Sequence, residues 1–143
     1  MTQEYAYEYF DEDDEKVRDP YTYLGKTPLD MVEQFARTFN QSTGHGWQRG
    51  SDKDMLRFKL LKEEFEEVQD AVKAADVLKE LADLAYVTYG FAATFGWDLD
   101  EAVRRVHASN MSKLGTDGKP IYREDGKVLK GPNYKAPDLN DLV

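Results

Sequence analysis

Apolar and polar positions alternate most regularly between Leu60 and Tyr89, where LLKEEFEEVQDAV is followed by a short KAAD break and then VLKELADLAYVTY. At 100° per residue, Met55, Phe58, Leu61, Phe65, Val68 and Val72 fall on one stripe of a helix. That helix opens at Ser51-Asp52-Lys53-Asp54, a capping-box pattern. Beyond the break, Leu78, Leu81, Leu84, Tyr86, Val87, Phe91 and Phe95 cover a second helix almost all round, which makes it central. It is predicted to end at Phe95-Gly96, the glycine lying just past the last turn.

Two shorter helices flank this hairpin. Upstream, Thr27 is a predicted N-cap with Pro28 in the first turn and Asp30 three residues on; Leu29, Val32, Phe35, Ala36 and Phe39 form the apolar face, which fades near Ser42. Downstream, Asp98-Leu99-Asp100-Glu101 opens a helix that runs to Gly115, with Leu99, Ala102 or Val103, and Val106 facing inward. Continuing that step lands on Asn110, a polar amide at a core-facing position. A buried amide needs a partner: helix ends or water can supply one, and so can a phosphate or sugar oxygen, with Lys113 one turn on. The fold class predicted is all-α, a four-helix antiparallel bundle built around the acidic hairpin. In the tail, IYREDGKVL carries an Asp125-Gly126 turn between short β-prone runs, a hairpin signal, and GPNYKAPDLNDLV is too rich in turn residues for a helix. The chain reads as one domain, 1–143, with an acidic tyrosine-rich arm over 1–26, a helical core over 27–114 and a basic turn-rich tail over 115–143.

Charge divides the chain unevenly. The formal net charge is −9, and residues 1–20 hold eight acids against Lys16 and Arg18. The excess of acid argues against nucleic acid or an anionic membrane as the principal partner. Between Lys113 and Lys135 the balance reverses, with six basic residues against three acids; Lys127 and Lys130 belong to this stretch, which is either a solvated tail or a cover that brings cations to a polyphosphate. There is no cysteine, hence no disulfide or thiolate metal site. The lack of a long apolar run or a signal-like start points to a soluble, cytoplasmic protein.

Candidate chemistry lies in the hairpin. Glu64 and Glu67 form an ExxE pair and Glu80 and Asp83 an ExxD pair, each at the i, i+3 spacing that puts both side chains on one helix face. Folding at the break brings the two pairs to about the same height. Four converging carboxylates repel, and each buried ion costs several kcal/mol; a hard divalent cation with oxygen ligands removes the conflict, so Mg²⁺ or Mn²⁺ is the expected cofactor. No GxxxxGK[ST] loop, HExxH or EF-hand loop occurs. A ferritin-like di-iron site would need histidine where Glu67 and Asp83 stand. The loop TGHGWQRG offers His45 and Trp47, rings able to stack on a base or to pack locally.

Taken as a set, EExxE in LLKEEFEEV, ExxD in KELADLAYVTYG and the following NMSKLG resemble the MazG-type all-α nucleoside triphosphate pyrophosphohydrolases, a superfamily that includes phosphoribosyl-ATP pyrophosphohydrolases and dimeric dUTPases. The likeness covers roughly Leu29 to Asp138 and leaves out the tyrosine-rich arm. It implies cleavage of a nucleoside triphosphate to the monophosphate and pyrophosphate. By analogy Glu64, Glu67, Glu80 and Asp83 hold Mg²⁺, Glu63 activates water, Asn110 and Lys113 contact the nucleotide, and the chain assembles as a homodimer or homotetramer. Phe35, Phe39, Asn40 and Trp47 are the expected wall of the base pocket. A helical oligomerisation or nucleotide-binding module that keeps the acidic hairpin without chemistry is the alternative.

Overall fold

The computed structural model describes residues 25–143; most of the acidic arm lies outside them. Four helices follow in order, α1 (Pro28–Thr38), α2 (Asp52–Asp70), α3 (Ala74–Phe95) and α4 (Leu99–Met111), and a single 3₁₀ turn, Asn140–Leu142, closes the chain. No strand forms among the described residues. The fold is the all-α one that the periodicity predicts, with α3 at the centre: it packs along α2 and α1, and α4 touches α1.

Local chemistry sets the ends of each helix. Thr27 accepts from the Asp30 backbone while Asp30 accepts from the Thr27 backbone, the reciprocal capping box. These bonds hold the Asp30 carboxyl below its usual range. At the other end of α1, Asn40 adopts φ 54° and Gln41 N–H reaches Ala36 O at 2.8 Å, a Schellman closure with asparagine in the left-handed position that glycine usually takes. The helix therefore stops at Thr38, before Ser42. Gly96, at φ 70°, ends α3 as expected.

Three expectations are corrected. The hairpin break is Ala71 to Lys73 and not KAAD: alanine is the best helix former and Asp76 suits a helix N-terminus, so Ala74, Ala75 and Asp76 join α3. Val72, placed on the α2 stripe, sits in that turn and is 93 % exposed. Secondly, α4 stops at Met111, short of Gly115, because Ser112 Oγ donates to Ser109 O at 2.7 Å and Lys135 N–H donates to Ser112 Oγ, which ties off the last turn. Finally, Asn110 is exposed and its neighbour Ser109 is buried. The inward face of α4 steps from Ala102 through Arg105 to Ser109, since the tail covers that side: Ser109 Oγ donates to Lys135 O at 2.7 Å, and Arg105 donates to Asp138 O and forks onto Asp141.

The Asp125-Gly126 turn is present, with Gly126 at φ 86° and one antiparallel bridge, Tyr122 to Val128; it is too short to make strands. The buried apolar core of the described residues is small: Val32, Ala36, Ala92, Ala93 and Phe95. Within the helices, much of the predicted stripe stays in contact with solvent, Met55 at 62 % and Leu78 at 69 % exposure.

Candidate active site

The α2–α3 hairpin brings three of its four predicted acids together. Glu64, Glu67 and Glu80 each offer a carboxylate oxygen within 4.8 Å of the others. Asp83 stands close enough for its charge to act on Glu64. Burial pushes the Glu64 carboxyl above its usual range, and the charges of Glu67 and Asp83 push it the same way. Among the described residues Lys79 answers this cluster: its Nζ lies 2.8 Å from Asp83 and 3.1 Å from Glu80. Hydrogen bonds to Asp83 and Glu80 raise its ammonium above the ordinary lysine value. The donor set is all oxygen and all anionic, which fits a hard divalent cation and not zinc, whose sites favour nitrogen and sulfur.

The remaining predicted residues are spread over the molecule. Glu63 is exposed beside the cluster and pairs with Lys59 at 3.6 Å. Lys113 and Lys130 converge on Tyr134, at the end of α4 that carries Asn110: Lys130 Nζ lies 4.4 Å from the Tyr134 ring centre. The Tyr134 hydroxyl is held below its usual value by a hydrogen bond with Ser109, helped by the charges of Lys130 and Lys113. Lys127 is on the exposed tail turn, its backbone N–H donating to Asp125. Asn40 serves as the left-handed cap described above. Trp47 donates its indole N–H to Asp54 at 2.9 Å and lies 6.0 Å from the Trp97 ring, with the Arg49 guanidinium over its face.

Two features escaped the sequence reading. Asp54 was expected to complete a capping box with Ser51, yet only half of that box forms. Ser51 Oγ accepts from Asp54 N–H, whereas the Asp54 carboxylate turns inward to Trp47, Arg49 and the Gly50 N–H and is 1 % exposed. The Trp47, Arg49, Asp54 spacing was its only visible signal. The second feature is a cleft of about 190 Å³ between α1, α2 and α3, walled by Val32, Phe35, Leu60, Tyr86 and Val87. Gln41, Thr43, Arg57 and Thr94 give it polar groups. Leu60 lies one turn before Glu64 on α2, and Val87 one turn after Asp83 on α3, so this end of the cleft is about one helical turn from the carboxylates.

Fold and site together define an all-α protein with a carboxylate centre set between two helices, beside an apolar cleft. The model of the phosphoribosyl-ATP pyrophosphohydrolase family matches residues 32–110. That is more than half of the chain and includes both acidic pairs; the protein belongs to this family, within the MazG-like all-α pyrophosphohydrolase superfamily. It is thereby a nucleotide pyrophosphohydrolase. No curated protein shows significant similarity to the chain. The matched range ends at Asn110, so Lys113, Lys127 and Lys130 lie beyond it.

Proposed function

We propose that the protein cleaves a nucleoside or deoxynucleoside triphosphate of the cytoplasmic pool to the monophosphate and pyrophosphate, with Mg²⁺ as cofactor and Mn²⁺ able to replace it. The observation that carries this reading is the meeting of Glu64, Glu67 and Glu80 across the hairpin, with Asp83 beside them. These four would hold the cation, which when bound neutralises and orients the polyphosphate. Lys79 must then release Glu80 and Asp83. Glu63, one helical turn before Glu67, would accept a proton from the attacking water once Lys59 lets it go. The water oxygen bonds to phosphorus, the α–β anhydride bond breaks, and pyrophosphate leaves with the electron pair. Lys113 and Lys130, with Asn110 and Lys127, supply positive charge and donors on the tail side. The base takes the cleft along Phe35 and Tyr86; Asn40 turns the chain that delivers Gln41 and Thr43 to it, and Trp47 fixes the loop from outside.

The apolar surface left on α2 and α3 favours a homodimer or homotetramer in which a second copy covers Met55, Phe65, Leu78 and Leu81. A monomeric mass at micromolar concentration would contradict it. Chemistry is tested by release of pyrophosphate from each common NTP and dNTP, with Mg²⁺ and with chelator. Turnover of at least one, abolished by chelator, is the expected result. No turnover and no change in Tm with metal would leave a non-catalytic binding module.

A further inference from the structure

The cleft holds a cation that nothing in the metal site uses. Arg57 projects from α2 among apolar and aromatic walls and is half-buried. Among the described residues no carboxylate lies within ion-pair distance of it; burial alone pulls it below the ordinary arginine value, and it remains a cation. Arginine carries five donors and no acceptor, and with no carboxylate beside it among the described residues those donors are available to the acceptors of a ligand.

A second observation points the same way. Gly90 is buried within α3, where glycine is less favourable than alanine. Its φ is not in the left-handed region, so no turn requires it. A Cβ at this position would stand 3.3 Å from Arg57 Nη1, tighter than ordinary contact. The missing methyl makes room for the guanidinium against the α3 backbone. Nearby, Thr94 donates its hydroxyl hydrogen to Gly90 O at 2.8 Å and so does not compete with Arg57 as a donor. At about 190 Å³ the cleft is smaller than the ~300–1,000 Å³ pockets that enclose drug-sized ligands. One flat ring system fits, with the polyphosphate outside on the carboxylates: Arg57 is seven residues before Glu64, about 10 Å along the helix.

We propose that Arg57 is the base-selecting residue of this cleft, and that it favours bases presenting a carbonyl oxygen (guanine, uracil or thymine) over adenine and cytosine, whose amino group at the corresponding edge meets its N–H donors head-on. The proposal rests on the nucleotide reading above. Arginine pairs with the acceptor edge of guanine in this way, and such a contact discriminates by roughly 10- to 100-fold.

The test compares the full chain with Arg57→Met and Gly90→Ala on two readouts: kcat/KM with Mg²⁺ for dGTP, dUTP, dATP and dCTP, and calorimetric binding of the four monophosphates in chelator, which reads the cleft without turnover. The wild type should favour the oxo bases by about 10- to 100-fold. Arg57→Met should bring the four within a few-fold by raising KM for dGTP and dUTP, and Gly90→Ala should shrink the preference at an unchanged or higher Tm. An unaltered preference in Arg57→Met overturns the proposal. So does an equal loss for all four bases and for inorganic triphosphate, which would make Arg57 a phosphate ligand. Discrimination in binding without any turnover would defeat the catalytic reading alone; turnover without discrimination would defeat this one alone.

Discussion

Helix α2 carries two acids ten residues apart, Asp54 buried and Glu64 half-buried, and they are treated in opposite ways. Burial works against the Asp54 carboxylate, but the Gly50 N–H, the Trp47 indole and the Arg49 guanidinium outweigh it and hold the group below its usual range. Burial also works against Glu64, and there the neighbours add to the penalty: Glu67, Asp83 and Glu80 all push the group up, and among the described residues Lys79 opposes them. An acid answered by donors fixes a loop. One surrounded by other acids is stable only when something positive arrives, and such arrangements cluster at functional sites. The contrast separates structure from chemistry on a single helix, and it can be broken experimentally at several levels.

Turnover should show it most. Glu63→Gln keeps size and polarity but removes the base, so hydrolysis should fall by ~10² to 10⁴ with metal binding retained. Glu64→Gln should weaken metal binding itself. Asp54→Asn should keep its activity per folded molecule, because the acid it removes serves only the Trp47 loop. Single-turnover assays with metal titration separate the three, and near-normal hydrolysis by Glu63→Gln would move the base elsewhere.

Metal-linked stability comes next. At free Mg²⁺ a hundredfold above its dissociation constant, linkage gives about 2.7 kcal/mol. Wild type and Asp54→Asn should gain this alike, whereas Glu64→Gln should lose most of it. Melting curves that coincide in chelator and in millimolar Mg²⁺ for the wild type would refute the metal site.

How much of this was legible beforehand follows from the range of each interaction. The i, i+3 acids and the caps at Thr27, Asp98 and Gly96 depend on neighbours within a turn or two, so spacing reveals them. The Glu64–Glu80 meeting needs only one short break, and even a misplaced break at KAAD left the pairing right. Asn110 and Ser109 could not be told apart, because the tail some 25 residues later decides which side of α4 is covered. Asp54 looked like a cap because its backbone does what a cap sequence requires; its side chain answers to a loop that carries no periodicity. Arg57 and Gly90 sit on different helices, and nothing in either local pattern marks a guanidinium filling the space of a missing methyl.

A smaller effect concerns unfolding in chelator. Asp54→Asn removes the charge that three donors satisfy and should lower Tm by several degrees. Glu64→Gln removes a member of a repelling cluster and should leave Tm unchanged or slightly raised. Opposite signs on one helix are the expected result; a loss in both would mean that Lys79 already neutralises the cluster in the metal-free protein.

The finest distinction is in the pH dependence of the metal-free protein. Asp54 has a folded pKa below its unfolded value, so its contribution is complete above about pH 4 and is lost as pH falls through the lowered folded value. Asp30 and Glu101 are shifted the same way and share that acid limb, so Asp54→Asn should shrink the limb without removing it. Glu64 behaves in reverse. Its folded pKa lies above the unfolded value of about 4.3, so the folded state binds more protons in the window between the two, and stability falls as pH rises through it. Tm measured in chelator from acid to neutral pH should therefore climb, then drop by a small step just above the ordinary glutamate range. Glu64→Gln should lose the step and keep the climb, and Mg²⁺ should erase the step in the wild type by holding Glu64 ionised. A wild-type profile that rises without a step, superimposable on that of Glu64→Gln, would mean that the acids of the hairpin do not feel one another, and the contrast with Asp54 would lose its physical basis.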